Sequence, residues 1–168
     1  MIHPHTYIHP NAKLATNVKI DPFTVIHQDV EIGDGTWIGS NVTIMEGARI
    51  GKNCRIKSYN EIRTNVTIGD NSSFGSRCTL CADTIIGSNV DVKYGFVTTT
   101  RDFKTREDLD AGAVGDGAIV GVNVTLMPGA SIGKGAMIGG CSQVRDAVGA
   151  NEVWFGSPAK FYKMIDEL

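Results

Sequence analysis

Residues 37–56 read Trp37-Ile-Gly-Ser-Asn-Val-Thr-Ile-Met-Glu-Gly-Ala-Arg-Ile-Gly-Lys-Asn-Cys-Arg-Ile56, and an isoleucine recurs in this stretch every six residues. Extended in both directions, the same six-residue step meets sixteen consecutive aliphatic or aromatic residues, from Ile2 to Val92. Because 42% of the chain is apolar, chance would produce such a run about once in a million trials. The six-residue register therefore reflects structure.

A strand repeats every two residues and a helix every 3.6, so a period of six predicts short strands separated by regular corners. The residue two before each repeating apolar residue is usually small or β-branched, as at Ala12, Val18 and Thr24, which suits the inside of a narrow coil. Glycine often follows the apolar residue, as at Gly33 and Gly51, and relieves crowding at a tight corner. The sequence predicts an all-β solenoid.

Composition excludes several classes of function. The 168 residues are enough for one domain with a sizeable core. Lys and Arg number 16 against 18 acidic residues, without a basic run, so nucleic-acid binding has little support. The N-terminus does not resemble a signal peptide, and no apolar stretch is long enough to cross a membrane, so we expect a cytoplasmic protein without a membrane partner.

The four cysteines are consistent with the expected cytoplasmic location. Cys54 and Cys78 stand two before an apolar repeat position, where a buried small side chain is expected. Cys78 and Cys81 form a CxxC spacing, but no second pair or nearby histidine completes a ligand set. Buried or corner cysteines are therefore favoured over redox use or a metal site.

The register is interrupted once. Thr98 would be the next repeat position, but the apolar repeat resumes at Val114, which is out of register with the preceding positions. The 22 residues from Val92 to Val114 exceed three repeats by four, which predicts a loop at about 98–113 containing the polar stretch 101–110. Loops that interrupt a rigid scaffold often carry function, although a purely structural, solvated loop is the alternative.

The tail follows a different pattern. Ser157 is a suitable helix cap and Pro158 a suitable first-turn residue. Apolar residues then recur at helical spacing: Phe161, Met164, Ile165 and Leu168. We therefore expect a β-helix over residues 1–156 and a short C-terminal helix over 157–168, which would cover exposed strand ends.

Two later segments carry a resemblance to a known family. The run from Ile119 to Gly140, with its Ile-Gly and Val-Gly repeats, and the ending Val153-Trp-Phe-Gly-Ser-Pro-Ala-Lys160 resemble the hexapeptide-repeat acyltransferases. The resemblance implies a left-handed parallel β-helix with three repeats per coil, and a homotrimer with active sites between subunits. Twenty-two matched positions correspond to a little over seven coils.

Two branches of that family are represented. Residues 1–56 resemble the acyltransferase that loads UDP-N-acetylglucosamine in lipid A synthesis. Residues 63–70 and 95–102 are more similar to N-acetyltransferases that modify nucleotide-linked amino sugars. The resemblance changes from the first branch to the second near Ile56, and either ordinary divergence or a recombined chain would explain the change.

The histidines favour the second branch. The lipid A enzyme uses a mid-chain histidine as base, whereas His3, His5, His9 and His27 are the histidines of this chain. A carbonic anhydrase of this fold, which needs mid-solenoid histidines, is excluded for the same reason. His27 should project outward far from the loop.

An alcohol acceptor needs a general base, but an amine with a pKa of about 8 is partly a free nucleophile at neutral pH. N-acylation is therefore favoured.

Candidate acceptor-site residues lie at the entry to the loop. Several such N-acetyltransferases carry an asparagine where this chain has Thr100. Thr100 and Asp102 are the predicted catalytic residues, the first orienting the amine and the second accepting a proton or holding the ammonium before attack. Both are also plausible turn residues. Asn60, at an inward position, is expected to be satisfied by its neighbours rather than to contact substrate.

The resemblance also implies a donor, acetyl-CoA, in a groove between C-terminal coils of adjacent subunits. Small residues would admit the pantetheine and basic residues would meet the phosphates; the candidates are Ala118, Gly121, Ala136, Gly139, Gly140, Arg145, Lys160 and Lys163. Corners equally demand the glycines, and the basic residues also suit a solvated face.

The leading hypothesis is a homotrimeric, acetyl-CoA-dependent N-acetyltransferase acting on a nucleotide-linked amino sugar. A catalytically inactive β-helix scaffold and a sugar O-acetyltransferase are the alternatives.

Overall fold

The repeat forms a chain of very short strands in the computed structural model, which describes residues 1–100 and 111–167. Most strands hold two residues, and the last two are longer. Within the described residues the strands are β1 Tyr7–Ile8, β2 Lys13–Leu14, β3 Lys19–Ile20, β4 Val25–Ile26, β5 Glu31–Ile32, β6 Trp37–Ile38, β7 Thr43–Ile44, β8 Arg49–Ile50, β9 Arg55–Ile56, β10 Glu61–Ile62, β11 Thr67–Ile68, β12 Ser73–Phe74, β13 Thr79–Leu80, β14 Ile85–Ile86, β15 Asp91–Val92, β16 Val97–Thr98, β17 Ala113–Val114, β18 Ile119–Val120, β19 Thr125–Leu126, β20 Ser131–Ile132, β21 Met137–Ile138, β22 Gln143–Val144, β23 Ala147–Val148, β24 Glu152–Gly156 and β25 Ala159–Met164.

Every third strand belongs to the same sheet, so the chain winds around three parallel sheets. Sheet A starts at β3 and includes β24 and β25, sheet B runs from β1 to β22, and sheet C runs from β2 to β23. Neighbouring strands of a regular coil lie 18 residues apart, as Lys19 pairs with Trp37. The prediction of an all-β parallel solenoid is confirmed, with about eight turns instead of a little over seven.

The repeating apolar residues fill the inside of the coil. Ile26, Ile38 and Ile44 are fully buried, since each second strand residue points inward. Polar residues at inward positions bridge successive coils. Asn60 donates to the carbonyl oxygens of Lys57 at 2.8 Å and Gly75 at 2.9 Å, and its Oδ1 accepts the N–H of Cys78. The expectation that Asn60 is satisfied by its neighbours is confirmed.

Two cysteines occupy the interior as predicted. Cys54 and Cys78 are buried and their thiols are free. Burial raises the pKa of both thiols. Cys81 instead lies half-buried at a corner, so the two cysteines of the CxxC spacing face opposite sides of the wall.

The interruption is larger and starts later than the sequence predicted. Thr98 ends β16 and is fully buried, so the coil continues through it. Sixteen residues separate Thr98 from Val114, where a regular step takes six, so the excess is ten residues rather than four. The discrepancy arises because a buried threonine continues the register without an apolar side chain. The polar stretch 101–110 lies outside the described residues.

A second irregularity follows Val144. Strand β23 ends at Val148, only four residues after the end of β22, so the expectation of one interruption is wrong. The corner at Arg145 and Asp146 is two residues shorter than the regular one.

The predicted C-terminal helix over 157–168 is wrong. Residues 159–164 form β25, which pairs antiparallel with β24, and Ser157-Pro158 is a cis peptide at the turn between them. A 3₁₀ turn spans Ile165–Glu167. The edge of sheet A offers unpaired backbone groups, which β24 and β25 satisfy as a hairpin. The apolar spacing was misleading, since Phe161 and Tyr162 are exposed instead of forming a packed helical face.

Within residues 1–100 and 111–167, no helix is long and apolar enough to span a membrane.

Candidate functional site

The corner between sheets B and C carries side chains that differ from coil to coil. We call it the B–C corner and define it by the residues that follow the sheet B strands β4, β7, β10, β13 and β16: His27, Met45, Arg63, Cys81 and Thr99. Parallel strands are about 4.8 Å apart, so these residues form a column along the solenoid. The insertion after residue 100 leaves the coil from the same corner.

A pocket of about 340 Å³ lies on this corner. We call it the B–C pocket. Its lining residues come from three coils and from both ends of the insertion: Met45, Arg63, Thr64, Cys81, Ala82, Asp83, Thr100 and Ala111. A guanidinium, a carboxylate, a thiol and hydroxyls therefore surround one opening, which suits a polar small molecule.

Charges of both signs line the pocket. The Nε of Arg63 lies 3.5 Å from Oε1 of Glu61, and both side chains are about half exposed, so this ion pair adds little stability. Asp83 accepts a hydrogen bond of 3.1 Å from Nδ2 of Asn65 on the preceding coil. Arg63 is thus placed by its own coil and Asp83 by the preceding one, while both remain open to a ligand.

Threonines anchor the chain just before Thr100. The buried Thr98 hydroxyl accepts the N–H of Cys81 at 2.8 Å and lies 3.0 Å from the Thr84 hydroxyl. The Thr99 hydroxyl donates to the carbonyl oxygen of Leu126 at 3.1 Å. These bonds tie the start of the insertion to the coils on either side of it, which holds Thr100 at the pocket wall.

The predicted catalytic residues fall on either side of the described boundary. Thr100 lines the B–C pocket, as a residue that orients an acceptor should. Asp102 lies outside the described residues. The catalytic role of each stays a prediction.

The histidines lie in the N-terminal coils. His27 stands on the B–C corner, one coil before the pocket residue Met45 and four coils, or about 19 Å, before Thr99. The rings of His3 and His5 are 5.3 Å apart at the N-terminal coil. Among the residues that the structure describes, no group of His, Cys, Asp or Glu is arranged to hold a metal ion.

The predicted donor residues are distributed over two corners. Arg145 follows β22 and lies on the B–C corner, where its Nε donates to Oε1 of Gln143 at 2.7 Å. Gly121, Gly139 and Gly140 lie on the corner between sheets A and B. Lys160 is exposed on β25, opposite Phe155.

The small residues among the donor candidates have clear structural roles. Ala118 and Ala136 are fully buried, so their side chains face the interior of the coil. A Cβ added to Gly121 would lie 2.6 Å from the backbone nitrogen of Gly140, and one added to Gly139 would lie 2.7 Å from Cβ of Phe155. Corner packing alone requires Gly121 and Gly139.

The sequence analysis missed Arg63, Cys81 and Asp83 as site residues. One signal was available, because residues 18 or 36 positions before the loop entry lie on the same corner, one or two coils away. Applied to Thr99, that spacing identifies Cys81 and Arg63. The hexapeptide register alone does not show which corners are aligned.

One family match covers most of the chain. The family described as the GMPPB C-terminal domain matches residues 2–101.

Two curated relatives match shorter segments. The acyl-[acyl-carrier-protein]–UDP-N-acetylglucosamine O-acyltransferase of Saccharophagus degradans is 49% identical over 43 residues, covering 26% of this chain and 17% of that protein. The putative lipopolysaccharide biosynthesis O-acetyl transferase WbbJ of Escherichia coli is 40% identical over 62 residues, covering 37% of this chain and 31% of that protein. The chain thus spans less than a third of the length of either relative in these matches.

A solved structure matches almost the whole chain. The UDP-N-acetylglucosamine acyltransferase from Campylobacter jejuni superposes with a TM-score of 0.76 at 19% identity, covering 98% of this chain and 75% of that one. At this identity the likeness supports the fold. Together these matches confirm the resemblance to hexapeptide-repeat acyltransferases.

Proposed function

The chain belongs to the family of the GMPPB C-terminal domain, and from this premise we propose that its B–C pocket is the acceptor site of an acetyltransferase. The proposed reaction moves an acetyl group from acetyl-CoA to the amine of a nucleotide-linked amino sugar. The observation that carries the proposal is a polar pocket formed by Arg63, Asp83 and Thr100 at the insertion. The relatives named as acyl and acetyl transferases support the reaction class.

The chemistry needs little beyond positioning. The acceptor amine attacks the thioester carbonyl carbon, a tetrahedral oxyanion forms, and its collapse forms an amide while coenzyme A leaves as the thiolate. The amine loses one proton, which a carboxylate accepts and passes to the thiolate or to water. Asp83 in the pocket and Asp102 in the insertion are the proposed carboxylates. Thr100 orients the amine, and Arg63 stabilises negative charge on the acceptor or the oxyanion.

The donor is proposed to lie between neighbouring protomers of a homotrimer. Arg145 is on the B–C corner whereas Gly121, Gly139 and Gly140 are on another corner of the same protomer. We therefore place the coenzyme A molecule between two copies, where it can contact Arg145 of one copy and these glycines of the other. Lys160 on the hairpin and Arg145 supply cations for its phosphates. A cytoplasmic location is part of the same proposal, since acetyl-CoA is the proposed co-substrate.

A sugar O-acetyltransferase is the second candidate, because both curated relatives carry O-acylation in their names. A hydroxyl acceptor requires a general base, and Asp83 is the carboxylate available in the pocket.

A catalytically inactive scaffold is the third. The family description names a domain rather than an activity, which keeps this alternative under test.

The deciding experiment measures release of free thiol from acetyl-CoA with a panel of acceptors. We expect release with amino-sugar nucleotides and none with matched sugars that carry a hydroxyl at the same carbon. Thiol release confined to the hydroxyl acceptors would show that the acceptor group is an alcohol and not an amine. Calorimetry with millimolar acetyl-CoA identifies the third case: no heat and no release would establish a scaffold.

A further inference from the structure

A second cleft lies on the outward face of sheet A, across the solenoid from the B–C pocket. Its volume is about 290 Å³, and we call it the sheet A cleft. The residues used below are Arg55, Lys57, Ser73, Asp91, Lys93 and Tyr94. Because sheet A is the side of the solenoid opposite the B–C corner, the cleft is a separate site.

Three cations from two coils line this cleft: Arg55 and Lys57 come from one coil, and Lys93 from two coils later. Arg55 pairs with Ser73 across the sheet, and Ser73 pairs with Asp91. These paired residues therefore form one column on the outward face of sheet A. Lys57 and Lys93 follow the outer two strands at the corner. Two strand spacings, about 10 Å, separate the backbones of Lys57 and Lys93, a span that two lysine side chains close around one ligand. The chain has a net charge of −2, yet three cations face a single acid here.

The single acid is already engaged. Oδ2 of Asp91 lies 2.6 Å from Nζ of Lys93, and Oδ1 accepts the Ser73 hydroxyl at 2.9 Å. Burial favours a raised pKa for Asp91, but the hydrogen bonds from Lys93 and Ser73 and the charges of Lys93 and Lys57 outweigh it, so the pKa is lowered. Asp91 therefore holds Lys93 in place at neutral pH. Within the described residues, Arg55 and Lys57 form no ion pair.

The cleft also offers an aromatic surface and an open floor. Tyr94 at its rim has 57% of its surface exposed, which leaves the ring available for stacking. Gly75 lies between the coils of Lys57 and Lys93, and a Cβ there would be 2.7 Å from the carbonyl carbon of Lys93. The corner between the two lysines therefore stays free of a side chain.

We propose that the sheet A cleft binds a nucleoside diphosphate group, with the two phosphates on Arg55, Lys57 and Lys93 and the base on Tyr94. Arginine and lysine are the usual partners of phosphate oxygens, and base stacking on an aromatic ring tolerates different bases. The cleft lies across the solenoid from the B–C pocket, and neither Arg145 nor Lys160 lines it. This nucleotide is therefore distinct from the acceptor and donor of the proposed function, and the assignment does not rest on that function.

Calorimetric titration of the full chain with ADP, UDP, inorganic pyrophosphate and adenosine tests the site without any catalytic step. We expect ADP or UDP to bind more tightly than pyrophosphate, and adenosine not to bind. The nucleotide that binds more tightly identifies the base that the site prefers. Absence of heat with millimolar ADP, UDP and pyrophosphate would overturn the proposal, whatever the acetyl-transfer assay shows.

Variants of the cleft make the test specific. Lys57→Ala should weaken nucleotide binding about tenfold, and the matched surface variant Lys134→Ala should leave it unchanged. Asp91→Asn should tighten binding about fivefold, because it removes a negative charge from beside the phosphates. Tyr94→Ala should reduce the affinity for ADP to that for pyrophosphate. Equal affinities for wild type, Lys57→Ala and Asp91→Asn would contradict the assignment.

Discussion

Two corners of the solenoid are built in opposite ways. At the corner between sheets C and A, the residue after the strand is glycine on successive coils: Gly33, Gly51, Gly69, Gly87, Gly115 and Gly133. A Cβ added to Gly69 would lie 2.6 Å from the carbonyl carbon of Gly87. Each such corner rests directly on the backbone of the next coil and has no room for a side chain.

The B–C corner has side chains at the same repeat position, from His27 to Thr99. Met45, Arg63 and Cys81 line the B–C pocket, and Thr99 stands just before the insertion. The difference shows which corner of the repeat can carry functional side chains. Backbone contact between coils fixes the glycine corner, whereas the B–C corner leaves its outward residues free to vary and to bind.

The largest expected effect comes from placing a side chain on the glycine corner. Gly69→Val should destabilise the protein by about 3 kcal/mol, because the new methyl groups collide with the main chain of Gly87 and Ser88. Thermal or urea unfolding monitored by circular dichroism measures this loss. Cys81→Val, at the same repeat position on the B–C corner, should cost less than about 1 kcal/mol. Equal losses for both variants would remove the distinction between the two corners.

A smaller effect is expected on catalysis from the B–C corner itself. Asp83→Asn should lower kcat/KM for acetyl transfer about tenfold or more, because it removes the pocket carboxylate that accepts the proton. The matched control is Asp29→Asn, which changes the same position of the repeat three coils earlier. Steady-state thiol release gives both values, and unfolding curves show whether either variant is destabilised. A comparable drop in both variants would mean that the pocket carboxylate is not special.

The smallest expected effect concerns a thiol packed against the glycine corner. Cys54 is buried with Sγ 3.2 Å from the carbonyl oxygen of Gly69, and burial raises the pKa of its thiol. Above the ordinary thiol pKa of about 8.5, the unfolded chain releases a proton that the folded chain retains. The protonated thiol therefore makes its full contribution to the free energy of unfolding below that pH. The contribution is lost as the pH rises through the folded-state pKa.

Unfolding curves between pH 7 and pH 10 measure this slope. Cys54→Ala should be less stable overall but should show a shallower decline above about pH 8.5. Parallel declines for wild type and variant would show that this thiol does not contribute.

The strand positions followed from the sequence because a period of six leaves one inward direction for each strand. Ile38, Ile44 and Ile50 are buried where the register placed them. The size of the insertion did not follow, since Thr98 is buried without being apolar. The hairpin after Glu152 did not follow either, because pairing across β24 and β25 overrode a helical spacing of apolar residues.

The candidate site was predictable in part. The broken register located Thr100, which lines the pocket. Arg63 and Asp83 were missed because they depend on the alignment of coils, a property of the 18-residue turn rather than of the hexapeptide. The sheet A cleft was missed for the same reason, since Arg55, Ser73 and Asp91 become neighbours only when coils stack.

Filling the B–C pocket tests most directly whether acetyl transfer occurs there. Ala82 lines the pocket, and Gln28 occupies the same repeat position three coils earlier, outside it. Thiol release from acetyl-CoA with an amino-sugar nucleotide should fall at least about a hundredfold in Ala82→Trp, because an indole occupies the acceptor's place, and should stay at the wild-type rate in Gln28→Trp. Wild-type rates in both variants, with both folded, would contradict the assignment of the acceptor site to the B–C corner.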